Sequence, residues 1–157
     1  MQIENQPVPA VGAAAPDFTL ASTSGETVTL SGFRGKSPVL IAFFPLAFTS
    51  TCTTELCDFS DDYDSFAQSQ VVVLPISVDS IPTLKEFKAK YNLKTDLLSD
   101  FKREVAPAYG VMWQDAFFAN RAYFLVDKDG IIRWEHVETT PSGKRGNDEI
   151  LAEIAKL

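Results

Sequence analysis

The six residues Val39-Leu40-Ile41-Ala42-Phe43-Phe44 are apolar without interruption, and Pro45 ends the run. The missing alternation is the pattern of a strand covered on both faces, usually a central one in a parallel arrangement. A second run of this kind, Val71-Val72-Val73-Leu74-Pro75-Ile76-Ser77-Val78, follows further on. Between the two, Leu56, Phe59, Tyr63 and Phe66 recur at steps of three and four, which predicts one helix over about 51–69. Asp58, Asp61, Asp62 and Asp64 lie largely off its apolar face. Two doubly covered strands joined by a helix need layers on either side. The expected class is therefore α/β, with a mixed central sheet flanked by helices on both faces.

The rest of the chain fits around that unit. Residues 1–15 are rich in Pro, Val and Ala and read as an extended arm. Asp17-Phe18-Thr19-Leu20 and Thr27-Val28-Thr29-Leu30 alternate polar and apolar, with Ser24-Gly25 as a turn, and predict an N-terminal β-hairpin. Ser80 is a suitable N-cap and Pro82 suits a first helical turn, ahead of Leu84, Phe87 and Tyr91 on one face and a stop near Asn92. Leu97-Leu98-Ser99 reads as a short strand. The stretch 102–109 reads as a short helix that must break or kink at Pro107, with Gly110 as its stop. Residues 113–120 read as an apolar, aromatic loop. Residues 122–126 and 131–135 form an antiparallel pair around Asp127-Lys128-Asp129-Gly130. Gly143 to Gly146 is a loop, and 148–157 is a terminal helix carrying Ile150, Leu151 and Ile154. With no internal repeat and no long linker, 1–157 is expected to be a single domain.

Composition narrows the function classes. Apolar residues make up 45% of the chain, enough for a sizeable core, and the net charge is −7. The 14 basic residues are dispersed, so a nucleic-acid or anionic-membrane surface is not expected. The stretch 1–7 has neither a basic n-region nor an apolar h-region, and no apolar run reaches the ~20 residues that span a bilayer. The expectation is a cytoplasmic protein, where two cysteines are reactive or buried rather than a permanent crosslink.

The chemistry concentrates in Pro45-Leu46-Ala47-Phe48-Thr49-Ser50-Thr51-Cys52, where strand passes through a loop into helix. A thiol at a helix N-terminus meets partial positive charge that favours the thiolate. Free cysteine titrates near about 8.5, so little is thiolate at neutral pH. Bringing that value to ~6 corresponds to roughly 3 kcal/mol. A helix N-terminus supplies ~1 kcal/mol, so a neighbouring guanidinium would have to supply much of the rest. Thr49 is placed to accept from a peroxide O–H while donating elsewhere. Pro45, with fixed φ and no N–H, can shape the loop and shield the sulfur. Taken alone, Cys52 is more often an inert core residue and Thr49 an ordinary cap. The combination of Pro45, Thr49 and Cys52 behind a buried strand favours chemistry.

Pro-x-x-x-Thr-x-x-Cys resembles the active-site signature of the peroxiredoxins. Phe43 to Thr49, Leu97-Leu98-Ser99-Asp100-Phe101, Ala108-Tyr109-Gly110-Val111 and Ala119-Asn120-Arg121 resemble the alkyl hydroperoxide reductase E branch. The resemblance implies a thioredoxin-like fold and a thiol peroxidase for hydrogen peroxide and organic hydroperoxides. It makes Cys52 the peroxidatic cysteine, oxidised to a sulfenic acid, and Arg121 the arginine that stabilises thiolate and peroxide. It further implies a thiol reductant (a thioredoxin-, glutaredoxin- or mycoredoxin-like protein or a small thiol), a homodimer through the active-site loops, and no cofactor.

Cys57 departs from that branch. Thr53-Thr54-Glu55-Leu56-Cys57-Asp58-Phe59 resembles instead the bacterioferritin-comigratory, or peroxiredoxin Q, branch, in which a cysteine at this spacing resolves the sulfenic acid as an intramolecular disulfide. Residues five apart in a helix lie about 8.7 Å apart at Cα, and a disulfide needs less than about 7 Å. Resolution by Cys57 would therefore require the helix start to unwind. The other reading makes Cys57 a small core residue, with an external thiol reducing Cys52. Glu55 has two readings as well, a partner of the arginine or a complement to the helix dipole. His136 is the sole histidine, at the end of a strand, which argues against a Cys-His hydrolase. Phe48, Trp113, Phe117 and Phe118 form an apolar set read as core, as a collar for organic peroxides or as a dimer surface. The rival from another class is a redox-inert thioredoxin-fold interaction or chaperone module.

Overall fold

The computed structural model describes residues 3–140 and 142–157; Met1 and Gln2 of the expected arm lie outside the described residues. The arm runs extended and is tied down by backbone bonds from Gln6 N–H to Pro107 O and from Ala15 N–H to Gly130 O, both 2.9 Å. It crosses Gly110, where φ is +72° and an added Cβ would stand 2.5 Å from the Gln6 carbonyl oxygen. Only glycine meets both demands.

The expected hairpin forms from β1 (Thr19–Ser22) and β2 (Thr27–Thr29), with Leu20 opposite Val28. Leu30 turns into a short 3-10 helix rather than extending the strand. Then β3 (Val39–Phe43) enters the centre of the fold, buried at all five positions. Its side chains divide by parity. Val39, Ile41 and Phe43 pack with Phe18, Tyr109 and Phe124 on one face. Leu40, Ala42 and then Phe44 pack with Leu56, Phe87 and Ile150 on the other. Double coverage is why the run carries no alternation.

The segment after β3 forms two helices, not one: α1 (Ser50–Asp61) and α2 (Tyr63–Gln68). Asp62 leaves the helical region at φ −97°, ψ 17°. The Asn147 side-chain amide bonds the Asp58 carbonyl oxygen at 2.9 Å and the Asp62 carboxylate at 2.8 Å, which satisfies the break. The break rotates the second helix, so Phe66 stays buried while Tyr63, expected on the apolar face, is 42% exposed.

Next come β4 (Val72–Ser77), parallel to β3, and α3 (Ile81–Tyr91). The Ser80 hydroxyl caps the Thr83 N–H, and Asn92 closes α3 in the left-handed conformation. The expected strand after it is β5 (Leu98–Ser99). Helix α4 (Val105–Ala108) starts three residues later than expected. The cause is Asp100, whose carboxylate accepts from the N–H groups of Glu104, Val105 and Ala106. Pro107 is then in the first turn, where the helix has no partner for an N–H, and it neither breaks nor kinks anything.

The stretch expected as a loop at 113–120 contains a small hairpin, β6 (Met112–Trp113) against β7 (Phe118–Ala119). Its turn holds Phe117 at φ 57°. After it, β8 (Ala122–Val126) pairs antiparallel with β3 and with β9 (Ile132–Val137), and α5 (Asn147–Ile154) follows. The described residues build one mixed seven-stranded sheet, in the order β2-β1-β5-β4-β3-β8-β9. Helices α1, α2, α3 and α5 contribute to the core on one face. The other face carries less helix than expected, only α4 and the 3-10 turn, and is completed by the arm and the β6–β7 hairpin.

Asp127 holds the turn between β8 and β9, accepting from Asp129 N–H at 2.9 Å, Ile131 N–H at 3.0 Å and Arg133 Nε at 2.5 Å. Burial pushes its carboxyl up, but these donors outweigh that and hold it below the usual range. A depressed carboxyl adds stability that is present above its unfolded pKa of about 3.9 and is lost as pH falls through the lower folded value. Chemical denaturation from pH 6 to pH 2.5 should therefore show Asp127→Asn losing stability at pH 6 but converging on wild type at the acid end.

Candidate active site

The loop after β3 is fixed from below. Phe44 N–H bonds Ile76 O at 2.9 Å. Ala47 N–H donates to Asp79 Oδ2 at 2.8 Å, an oxygen also held by the Ser77 hydroxyl at 2.7 Å. Pro45 is buried. Phe48 adopts φ 70°, an uncommon conformation for a side-chain-bearing residue, and reverses the chain into the helix. Thr49 then occupies the N-cap of α1 in an extended conformation. Its hydroxyl donates to Leu46 O at 2.7 Å, which leaves the oxygen lone pairs able to accept.

Cys52 is the third residue of α1 and only 2% exposed. Arg121, in the residue just before β8, lies beside it, with Nη2 donating to Sγ at 3.2 Å. The expected pairing of these two groups, 69 positions apart, is thus the geometry found.

The arginine is itself 1% exposed and surrounded by acceptors. Nη1 meets Glu55 Oε1 at 2.7 Å, and Nε donates to Gly143 O at 2.9 Å. Burial alone would lower its pKa, but the charges of Glu55 and Cys52 outweigh that and keep it firmly cationic. Of the two readings of Glu55, the structure gives the partner of the arginine; α1 begins at Ser50, so Glu55 falls in the second turn, away from the helix end. Its other oxygen accepts from the Tyr123 hydroxyl. Burial pushes the Glu55 carboxyl up, opposed by the Arg121 charge and the Tyr123 hydroxyl. Burial and the neighbouring carboxylate push the Tyr123 hydroxyl upward too, so it serves as a donor. The Tyr123 oxygen in turn accepts from Arg145 N–H at 3.0 Å.

Tyr123, Gly143, Asp79 and Asn120 were missed as contributors to this arrangement. Asn120 Oδ1 accepts from Arg121 N–H at 2.8 Å, and its amide donates to Glu138 O at 2.6 Å, which orients the backbone at Arg121. A tyrosine inside an otherwise apolar strand is a readable hint, because a buried hydroxyl needs a partner. Gly143 acts through its carbonyl oxygen and leaves no side-chain signal.

Cys57 is not brought to Cys52. Both thiols are free, and both lie within the continuous helix α1. Cys57 is half-buried, and burial together with Asp61 and Asp58 pushes its thiol above the ordinary range. His136 stacks on Trp134 and approaches Glu138 Oε2 at 3.3 Å, a structural position. The aromatic set divides in two. Phe48 packs on Phe87 of α3, 5.0 Å between centroids, while Trp113 packs on Phe118 within the β6–β7 hairpin. A cavity of about 680 Å³ opens near the start of β4, between Val28, Phe33, Phe66, Val72 and Lys94, and includes none of Pro45, Thr49, Cys52 or Arg121. Among the described residues, no cluster of three or more His, Cys, Asp and Glu side chains is arranged to hold a metal ion.

Residues 11–135 match the AhpC/TSA family. The chain belongs to that family. It is 44% identical to alkyl hydroperoxide reductase E of Mycobacterium tuberculosis over 130 residues, 82% of this chain and 85% of the relative. It is 40% identical to peroxiredoxin Bcp of Bacillus subtilis over 136 residues, 82% and 86% of the two chains. Both branches suggested by the two cysteine environments are thus among its relatives. Reduced 2-Cys peroxiredoxin of Plasmodium vivax superposes with a TM-score of 0.86 at 34% identity, covering 94% of this chain and 81% of that one. AhpC of Mycobacterium tuberculosis superposes with a TM-score of 0.84 at 28% identity, covering 95% and 93%. The protein is a peroxiredoxin, a thiol peroxidase on the expected thioredoxin-like fold, which displaces the reading as a redox-inert interaction module. No helix among the described residues of this peroxiredoxin is long and apolar enough to cross a membrane.

The raised thiol of Cys57 has a direct readout. In reduced Cys52→Ser protein, iodoacetamide should alkylate Cys57 more slowly at pH 7 than it alkylates an unstructured cysteine peptide. The rate should climb with pH to higher values than the peptide's titration requires, followed by mass spectrometry.

Proposed function

We propose that Cys52 is the peroxidatic residue of this peroxiredoxin. The observation that carries the reading is a buried sulfur in the first turn of α1, 3.2 Å from the Arg121 guanidinium. The Cys52 thiolate attacks the terminal oxygen of a hydroperoxide. The S–O bond forms, the O–O bond breaks, sulfur is oxidised to the sulfenic acid, and the alcohol or water leaves after taking a proton. Arg121 holds the thiolate and the oxygen on which charge develops. Thr49 accepts from the peroxide O–H while its own O–H donates to Leu46 O, which orients the substrate. Pro45 closes the loop around the sulfur and carries no N–H that would compete for it. Hydrogen peroxide and organic hydroperoxides are the substrates.

Cys57 resolves the sulfenic acid in this proposal. Its sulfur attacks the Cys52 sulfur, the S–O bond breaks, water leaves and an intramolecular disulfide remains. A thioredoxin-, glutaredoxin- or mycoredoxin-like protein or a small thiol then reduces it by two electrons. Cysteine cycling of this kind suits the reducing cytoplasm, and residues 1–157 act as one domain. A second reading has an observation in its favour: the helical placement of Cys57, with its raised thiol, suits direct reduction of the sulfenic acid by an external thiol.

Stopped-flow oxidation followed by mass analysis tests this. Cys52→Ser should abolish peroxide consumption, at least 10³-fold, and retention of full activity would refute the assignment. Cys57→Ser should keep the first oxidation at the wild-type rate and then depend on a different reductant. Oxidised wild type without a Cys52–Cys57 disulfide would establish the external-thiol reading. Two copies are proposed to associate through the active-site loops, so sedimentation at tens of micromolar should show a dimer; monomer alone would remove that part.

A further inference from the structure

Cys52, Glu55, Asp58 and Phe59 fall at steps of three and four along one stripe of α1, which Asp62 continues at the C-cap, and Cys57 lies off it. The polar members of that stripe are gripped by a short segment after β9 that runs into the first residue of α5, residues 143–147. Gly143 O accepts from Arg121 Nε, the same guanidinium that meets Cys52 and Glu55. Lys144 Nζ reaches Asp58 Oδ2 at 2.9 Å. Arg145 N–H donates to the Tyr123 hydroxyl, which donates to Glu55. Asn147 donates both to the Asp58 carbonyl oxygen and to the Asp62 carboxylate. One segment of five residues therefore touches both the groups around the thiol and the far end of the helix.

A disulfide between Cys52 and Cys57 cannot form while α1 is intact, because the Cα separation of about 8.7 Å in a regular helix exceeds the reach of an S–S bond. Unwinding far enough to deliver Cys57 moves Glu55 and Asp58, and so breaks the contacts of this segment. We infer that segment 143–147 is a strap that holds α1 helical and thereby sets how readily Cys57 is released toward the Cys52 sulfenic sulfur, with Asn147 as the principal positioning residue. The second half rests on the resolving role proposed for Cys57. Asn147 outranks Lys144 because its two bonds are partly buried and fixed at the helix break, whereas the Lys144–Asp58 pair is 27% and 41% exposed and screened by solvent. The strap acts on α1 and does not touch the peroxide.

The test combines hydrogen exchange of the reduced protein with quench-flow mass analysis after peroxide, in wild type, Asn147→Ala and the milder Lys144→Ala. In Asn147→Ala the amides of 54–61 should exchange about tenfold faster, as expected for local opening that has lost a net hydrogen bond or two. The amides of β3 and β8 should keep their wild-type rates. The first oxidation should be unchanged, and the disulfide should appear several-fold sooner. Lys144→Ala should move in the same direction by a smaller factor. Unchanged exchange in α1, or equal acceleration throughout the sheet, would overturn the strap. Faster exchange with an unchanged disulfide rate would overturn its link to resolution. A wild-type protein that forms no disulfide removes the resolving role and the second half of the inference, while the exchange rates still decide the first half.

Discussion

A cationic guanidinium buried just before β8 is the constraint to which the rest of the site answers. Taking a charge of that kind out of water costs several kcal/mol unless partners replace the solvent. Arg121 finds them on three sides, in the Cys52 sulfur, the Glu55 carboxylate and the Gly143 carbonyl. The partners come from two parts of the chain, α1 and the segment after β9, and each needs a further element to bring it there. Cys52 and Glu55 share α1, which is packed on the Leu40–Phe44 face of the sheet. Gly143 comes from the segment after β9, whose register with β8 sets where that segment starts. The pairing of β3 with β8 is thus also the ruler that sets the distance between sulfur and guanidinium.

Glu55 compensates the charge of the buried guanidinium. Alone beside a thiolate, a buried carboxylate would oppose the negative charge on sulfur. Here it binds Nη1 of the same guanidinium, while Cys52 meets Nη2, and it receives the Tyr123 hydroxyl. The guanidinium is planar, with donors on several edges, so it can serve sulfur and carboxylate at once. A lysine, a point charge with no fixed fork, has no equivalent geometry.

Much of this was legible from the residues because local chemistry and tertiary structure agree. The uninterrupted run at 39–44, the Ser80 cap with Pro82, and the Asp127–Gly130 turn each specify their element by short-range physics. The loop from Pro45 to Cys52 carried the chemistry in its spacing, and the position of Arg121 was supplied by family resemblance, since no local pattern reports a contact across 69 positions. The misplaced elements share a cause. The single helix expected over 51–69 is divided at Asp62 by Asn147, a residue 85 positions away. Helix α4 starts late because the Asp100 carboxylate takes its first N–H groups. The β6–β7 hairpin forms in a stretch whose aromatic residues suggested only a loop. In each case a side chain or strand partner outside the local window decided the boundary.

The same long-range bonds bring the two halves of the chemistry into tension. The arrangement proposed to make Cys52 reactive depends on α1 being intact. Its first turn presents the sulfur, its second turn brings Glu55 to the arginine, and its last turn is fixed by Asn147. Attack by Cys57 demands the opposite, because a regular helix keeps sulfurs five residues apart out of bonding range. A helix held too firmly would leave the sulfenic acid exposed to a second peroxide and further oxidation. A helix held too loosely would lose the guanidinium contact before the first peroxide arrived. The contacts of Asp58 and Asp62 at the far end of α1 are few, polar and partly exposed, whereas Leu56 and Phe59 are buried at 1% exposure. That division suits a helix whose apolar side anchors it to the sheet, while its polar contacts govern how often the catalytic turns come apart.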